Sequence, residues 1–248
     1  MSLSVAIITR NAEAELDACL ASIAFVDEVV VVDSGSTDGT IGLAARHGAR
    51  VIQKEWLGFG PQKQFAVEAA SHAWVLCVDA DERVSAEMRD AILAELKSPR
   101  GFVYAVARRN RFLGRWLAHG EGYPDWSVRL FHRAHARWSS DPVHEKIIAE
   151  SQVRRLPGDL LHDSAESLEK YLHKQNRYTS LQAEALHAAG RHASLLQLVF
   201  SPILRFVKFY FLRLGFLDGL PGLVHIAIGC MNSFCKYAKL IALERTAK

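Results

Sequence analysis

The run Val29-Val30-Val31-Val32-Asp33-Ser34-Gly35-Ser36-Thr37-Asp38-Gly39-Thr40, answered downstream by Trp74-Val75-Leu76-Cys77-Val78-Asp79-Ala80-Asp81-Glu82, constrains this 248-residue chain more than any other feature. Each half is a short apolar stretch that stops abruptly at carboxylates. Uninterrupted apolar runs of this length suit strands buried on both faces of a mostly parallel sheet. In such sheets ligands bind just beyond the carboxyl ends of the strands. Two acidic strand ends in one sheet therefore point to a polar ligand held with a divalent cation.

The surrounding pattern agrees. Strands are expected at Ser4–Thr9, Glu28–Val32, Ala49–Gln53 and Ala73–Val78, with a helix after each. Leu16, Cys19, Leu20 and Ile23 share one helical face, and Gly48 is placed to end the second helix. Pro61 suits a first turn, and Ser85 is a natural N-cap for a helix carrying Met88, Ile92, Leu93 and Leu96. This βαβα order implies a doubly wound α/β sheet. The first strand runs into Thr9-Arg10-Asn11, without the glycine fingerprint of a dinucleotide-binding dehydrogenase. After Pro99 the rhythm changes to short strands at Phe102–Arg108, Ser127–His132 and His144–Ala149, a region suited to a substrate-binding half. Helical spacing returns at Ser167–Ala189. The division expected is a nucleotide-binding domain over 1–165 and a helical region over 166–248.

The net charge of +3 is unevenly spread: from Arg191 onward eight Lys/Arg stand against Asp218 and Glu244, a net of +6. A tail that is both basic and apolar points to a membrane surface rather than to nucleic acid. Its cations interrupt every apolar run, so no stretch reaches the ~20 uncharged residues of a spanning helix, and peripheral attachment is expected. Cys19, Cys77, Cys230 and Cys235 form no metal-binding pair, and a strand beginning at Val5 leaves no room for a signal peptide. A cytoplasmic setting follows as the expectation.

Asp79 and Asp81, one residue apart at a strand end, can converge on one cation, as carboxylates do for Mg²⁺ or Mn²⁺ beside a nucleotide. Asp33 ends its strand in a Ser/Gly/Thr loop whose amides can surround a ligand, whereas Asp38 reads as a turn former. His144-Glu145 is followed by Lys146-Ile147-Ile148, which excludes the zinc-protease pattern HExxH.

Together, Thr9-Arg10-Asn11, the Val32–Thr40 loop and Asp79-Ala80-Asp81-Glu82 resemble the nucleotide-sugar domain of family 2 glycosyltransferases, which have the GT-A fold. Gly58-Phe59-Gly60-Pro61-Gln62-Lys63, Pro124-Asp125-Trp126-Ser127-Val128-Arg129-Leu130-Phe131, Pro142-Val143-His144-Glu145 and Leu217-Asp218-Gly219 are similar to the bacterial lipopolysaccharide core β-1,4-glucosyltransferase branch, over nearly the whole chain. The resemblance implies inverting transfer of a hexose, glucose from UDP-glucose, to a lipopolysaccharide inner-core or other lipid-linked acceptor at the cytoplasmic face of the inner membrane. It implies that Thr9 and Asp33 contact the nucleobase, that Lys63 lies near the nucleotide, and that Asp79 approaches the ribose or metal. Asn11 belongs to the same nucleotide-sugar loop; the acid that directly follows it in many relatives is displaced here to Glu13. Asp81 would ligate Mg²⁺ or Mn²⁺, with His162 as a late metal ligand or diphosphate contact, and Arg177 could reach the diphosphate. An inverting displacement needs a base opposite the leaving group. Asp125 and Glu145 are the candidates, with Glu145 preferred because the family pattern sets its Val-His-Glu element beside the sugar. A catalytically silent nucleotide-sugar-binding membrane tether, or a family 2 transferase with a different donor or acceptor, is the competing reading; the intact Asp81 and base candidates favour an enzyme.

Overall fold

A computed structural model of the chain describes residues 1–140, 145–163 and 167–246. They divide into two compact units, one formed by Met1–Arg108 with Trp126–Ser164, the other by Arg109–Asp125 with Ala165–Lys248.

The first unit is built on one sheet. Strands β1 (Leu3–Thr9), β2 (Glu28–Asp33), β3 (Arg50–Gln53) and β4 (Trp74–Cys77) alternate with helices α1 (Glu13–Ser22), α2 (Thr40–Arg46) and α3 (Phe59–Ala69). These strands lie parallel in the order β3-β2-β1-β4. The chain therefore moves outward from β1 and then returns to its other side, so a topological switch point lies between β1 and β4. The apolar runs do what their length requires. Val5, Ile7, Val31 and Leu76 enter a core with Leu16 and Leu20 of α1 and Leu43 of α2, while Ala6, Val30, Val32, Val75 and Cys77 enter another with Ala66 and Val67 of α3. Both faces of each strand are buried, so no polar alternation survives in the sequence.

Beyond β4 the sheet changes character. A short β5 (Glu82–Val84) leads to α4 (Ala86–Lys97), whose N-cap is Ser85: its hydroxyl accepts from the Met88 amide at 3.2 Å. Then follow β6 (Val103–Phe112), β7 (Arg115–Trp116), β8 (Asp125–His132), β9 (Ala136–Trp138), β10 (Ile147–Ala149) and β11 (Val153–His162). β8 adds to β4 antiparallel, and the path continues β6-β11-β5, with β11 and β5 again antiparallel. The parallel half is thus followed by an antiparallel one. The strand expected to begin at His144 begins at Ile147, and His144 lies outside the described residues.

β11 has no counterpart in the sequence expectations, and it carries Pro157-Gly158, a pair unfavourable to a strand interior. The glycine is what lets the strand pass: Gly158 has φ +85° and sits so close to the first turn of α4 that a Cβ would lie 2.2 Å from the Met88 nitrogen. Its neighbour Asp159 exchanges bonds with Ser85, amide to hydroxyl at 3.0 Å and carbonyl from amide at 3.1 Å.

In the second unit, α5 (Leu168–Ala188) and α6 (Leu195–Phe206) both pack on α7 (Gly219–Thr246). α6 continues through a wider π-helical turn at Val207–Leu212, and a 3₁₀ turn at Gly215–Asp218 leads into α7. Residues 109–125, expected with the N-terminal domain, belong here. The buried Asp218 carboxylate accepts from the Ala118 amide at 3.0 Å and the His119 amide at 2.8 Å, and Arg205 is paired with Glu121. These ties across about a hundred residues cannot be read from local periodicity. Leu195–Leu212 and Gly215–Thr246 are long and apolar enough to cross a membrane by length and composition. The helix runs on through cations that had been read as interruptions.

Candidate active site

The parallel register sets the site at one edge. Thr9 lies opposite Asp33, and Asp33 opposite Gln53, so the carboxyl ends of β1 and β2 are level. β4 follows the same edge, with the Val78 amide donating to the Ala6 carbonyl at 3.2 Å, and delivers Asp79 and Asp81 just beyond it.

At the β2 end, Asp33 is fully buried and its carboxylate is filled. One oxygen accepts from the amides of Gly35 (3.0 Å) and Ser36 (2.8 Å); the other accepts from the Thr9 hydroxyl at 3.0 Å and from the Ser36 hydroxyl. The two loops are laced together further out. Asn11, at φ +51°, accepts from the Thr37 amide at 2.8 Å and donates its own amide to the Ser36 hydroxyl at 2.8 Å. The Glu13 carboxylate accepts from the Gly39 amide at 2.8 Å, while Asp38 accepts from the amides of Thr40 (3.1 Å) and Glu13 (3.2 Å). Asp38 is a turn former, as its setting suggested.

At the β4 end, the carboxylates meet cations from distant elements. Asp79 lies 3.2 Å from Lys63 Nζ and 3.2 Å from Arg129 Nη2. Burial opposes its ionisation, but Arg129 and Lys63 outweigh burial and hold the carboxyl well below the usual carboxylate range. Lys63 reaches Glu145 as well, at 3.4 Å, and stands 4.7 Å from the centre of the Trp138 ring. α3 brings Lys63 here because Gly60 allows close approach: a Cβ at Gly60 would lie 2.0 Å from the Ser139 carbonyl oxygen and 3.4 Å from Glu145 Cβ. Gln62, buried within α3, donates to the Ser34 hydroxyl at 3.0 Å and accepts from the Leu57 amide at 3.2 Å, fastening the loop before the helix.

Asp81 lies 3.1 Å from His162 Nε2, at the end of β11, where His162 stands opposite Glu82 in the antiparallel register. Burial raises the Asp81 carboxyl, but its bond to His162 prevails and the net shift is downward. A carboxylate oxygen and an imidazole nitrogen so close together fit Mg²⁺ or Mn²⁺, which take few protein ligands and complete their shell with phosphate and water. Among the described residues no group of three or more His, Cys, Asp and Glu could hold a metal by itself. That donor set suits a cation that arrives with a diphosphate.

Two residues behind the aspartates had no assigned role. Arg129 of β8 is buried, and its Nη2 donates to the fully buried Glu82 at 2.6 Å as well as to Asp79; the Asp79 amide donates to Glu82 at 2.9 Å. Burial pushes Glu82 up and Arg129 opposes it only in part. The signal was present: an arginine inside the apolar strand Ser127–His132 must be paired if it is buried. Asp125 opens β8, four residues before Arg129, and Arg177 is exposed on α5 in the second unit. The Lys63 cluster includes neither.

Comparison with known proteins accords with this geometry. The profile of "Glycosyl transferase family 2" matches residues 4–155. The lipopolysaccharide core biosynthesis glycosyltransferase LpsC of Rhizobium meliloti is 32% identical over 97% of this chain and 92% of its own. A glycosyltransferase of Rickettsia typhi is likewise 32% identical, over 98% of this chain and 87% of its own. Among solved structures, Staphylococcus aureus TarS (residues 1–349) in complex with UDP-GlcNAc superposes with a TM-score of 0.52 over 100% of this chain and 93% of that one, at 16% identity, and so shares the fold. The sheet is that of the GT-A fold, and the chain belongs to glycosyl transferase family 2.

Proposed function

We propose that this glycosyltransferase is a metal-dependent, inverting hexosyltransferase that moves glucose from UDP-glucose to a lipopolysaccharide inner-core or other lipid-linked glycan, working peripherally at the cytoplasmic face of the inner membrane. The observation that carries the chemistry is the pairing of Asp81 with His162, next to a cluster in which Lys63 joins Asp79 to Glu145. The near full-length similarity to LpsC supports the acceptor class. The exposed apolar side chains of α6, none of which is buried, support membrane attachment.

In this reading Asp81 and His162 hold the cation, and Asp79 faces the ribose or the metal. A bound Mg²⁺ or Mn²⁺ supplies neutralising charge to the departing diphosphate. Thr9, Asn11, Asp33 and Glu13 shape the loops for the nucleoside, with Asp33 reaching the base once one of its hydroxyl donors rotates away. Lys63 offers its ammonium to the diphosphate, and Arg177 is a further candidate for it. Glu145 takes the proton of the acceptor hydroxyl as that oxygen bonds the anomeric carbon. The bond from that carbon to the diphosphate oxygen breaks, UDP leaves with its electron pair, and configuration inverts. Asp125 is the alternative base.

A panel of UDP-, GDP- and dTDP-sugars offered to the purified full chain with a lipopolysaccharide-core acceptor tests the reading. Transfer from UDP-glucose, lost in EDTA and restored by Mg²⁺ or Mn²⁺, is expected. Transfer from another donor alone would replace the glucose assignment, and full turnover in EDTA would refute the metal.

A further inference from the structure

In the described residues only three non-glycine residues have positive φ: Asn11, Leu113 and Leu214. Asparagine is at home there; leucine is not. Leu113 (φ +46°) and Gly114 (φ +78°) form the two-residue connection between β6 and β7, where Arg111 pairs with Trp116 and Phe112 with Arg115. Such hairpin turns favour Asn-Gly or Asp-Gly. Leu113 nevertheless stands 50% exposed and so gains little from packing. Leu214, at φ +54°, is 45% exposed. Neither turn preference nor core burial accounts for a leucine at either position, and strain of this kind points to function.

Both leucines flank segments of the second unit that are hydrogen-bonded to each other. Arg115 Nη2 donates to the Leu217 carbonyl at 3.0 Å, and the Gly120 amide donates to the Arg213 carbonyl at 2.8 Å, tying the hairpin to the 213–218 turn. Around the junction Phe211, Leu212, Phe216 and Leu220 are exposed. Arg111, Arg115, Lys208 and Arg213 are exposed among them. Two carboxylates on these same segments are used internally: Glu121 pairs with Arg205, and Asp218 is buried against Ala118 and His119. Arg205, one of the eight cations of the tail, is therefore neutralised inside the unit, whereas Arg111 and Arg115 add charge from outside the tail.

We infer that the hairpin tip at Leu113–Gly114 is a second membrane-docking element, which joins the 211–220 ridge in one surface that inserts leucine and phenylalanine below anionic phospholipid headgroups and meets those headgroups with Arg111, Arg115, Lys208 and Arg213. This rests on the membrane attachment proposed above and locates it. Exposed apolar residues rimmed by cations match the interface of an anionic bilayer. A second copy of the same face would bring like charges together. Nucleic acid would leave the leucines without a partner.

Flotation of the full chain with vesicles of phosphatidylethanolamine and phosphatidylglycerol at low salt tests it. Leu113→Asn suits the left-handed backbone, and Arg111→Gln with Arg115→Gln removes charge while keeping a polar side chain. The triple variant should lose about tenfold or more in vesicle partitioning. Its turnover of UDP-glucose with a detergent-soluble core acceptor and its circular dichroism should match wild type. Leu113→Asn alone, which leaves Arg115 on the Leu217 carbonyl, should lower partitioning by a smaller factor. A wild-type chain that floats beside a triple variant floating equally well would overturn the hairpin assignment alone. A wild-type chain that never floats would overturn membrane attachment itself.

Discussion

The carboxyl ends of β2 and β4 carry the same kind of sequence, an apolar run stopped by aspartate, yet the structure treats them in opposite ways. Asp33 is closed off by its own loop and by the end of β1, with four donors from Thr9, Gly35 and Ser36 completing a carboxylate that has about four acceptor positions. Asp79 and Asp81 are held by Lys63, Arg129 and His162, which arrive from α3, β8 and β11. One strand end builds a wall of the site; the other presents charge to whatever enters it. Neutral donors, three of the four within three residues, mark the first kind, and cations from distant elements mark the second.

The sharpest test is at Asp81. Asp81→Asn keeps the size of the side chain and removes the anionic ligand, so transfer should fall below detection while the melting temperature stays near wild type. Glu145→Gln comes next: it cannot accept the acceptor proton, so kcat should drop by about 10²–10⁴. UDP affinity, followed by calorimetry, should hardly change. Asp125→Asn is its control; if that variant loses turnover and Glu145→Gln does not, the base is Asp125.

Arg129 divides catalysis from stability within the same strand end. Arg129→Met leaves Asp79 and the buried Glu82 facing each other without their shared cation. Breaking a buried ion pair from one side costs about 3–5 kcal/mol. Urea unfolding should register most of that loss at neutral pH. A variant as stable as wild type would mean that water or a proton already serves Glu82.

What the sequence made legible follows from the same physics. The βα order was readable because β1, β2 and β4 are buried on both faces, which writes a continuous apolar run. The DxD pair was readable because strand ends in such sheets are where ligands lie. Arg129, Glu82 and the reach of Lys63 to Glu145 were not, since each depends on pairing between segments far apart in the chain. β11 was hidden by Pro157-Gly158, whose meaning is close approach to α4. The membership of 109–125 in the second unit was hidden for a like reason: its partners, Arg205, Arg213 and Asp218, come about a hundred residues later.

Asp33→Asn probes the wall. The amide matches only one side of its four donors, leaving backbone N–H groups or hydroxyls without an acceptor. Roughly 2 kcal/mol should be lost, which corresponds to a fall of about 5 °C in Tm for a chain of this size. If Tm holds and UDP binding disappears instead, Asp33 is a ligand residue first, and the contrast between the two strand ends fails.

The smallest effect is expected at Glu13, the displaced acid of the nucleotide-sugar loop. Its carboxylate accepts from the Gly39 amide at 2.8 Å, and its own amide donates to Asp38, so it braces the entrance to α2 from an exposed position. Glu13→Gln keeps a carbonyl oxygen that can accept the same Gly39 bond. Surface changes that preserve the hydrogen bond usually alter free energies by no more than about 0.5 kcal/mol. The Kd for UDP should therefore stay within about twofold of wild type. A carboxylate that bonds a ribose hydroxyl directly is a charged acceptor, and such bonds are worth about 1.5–3 kcal/mol. Exchanging it for an amide would weaken UDP binding tenfold or more while leaving a ribose-free probe, inorganic diphosphate with Mg²⁺, unaffected. That pattern would move Glu13 from the wall to the ligand side. The loop after β1 would then join Asp79 and Asp81 as a binding element, and the wall would rest on Asp33 and Asp38.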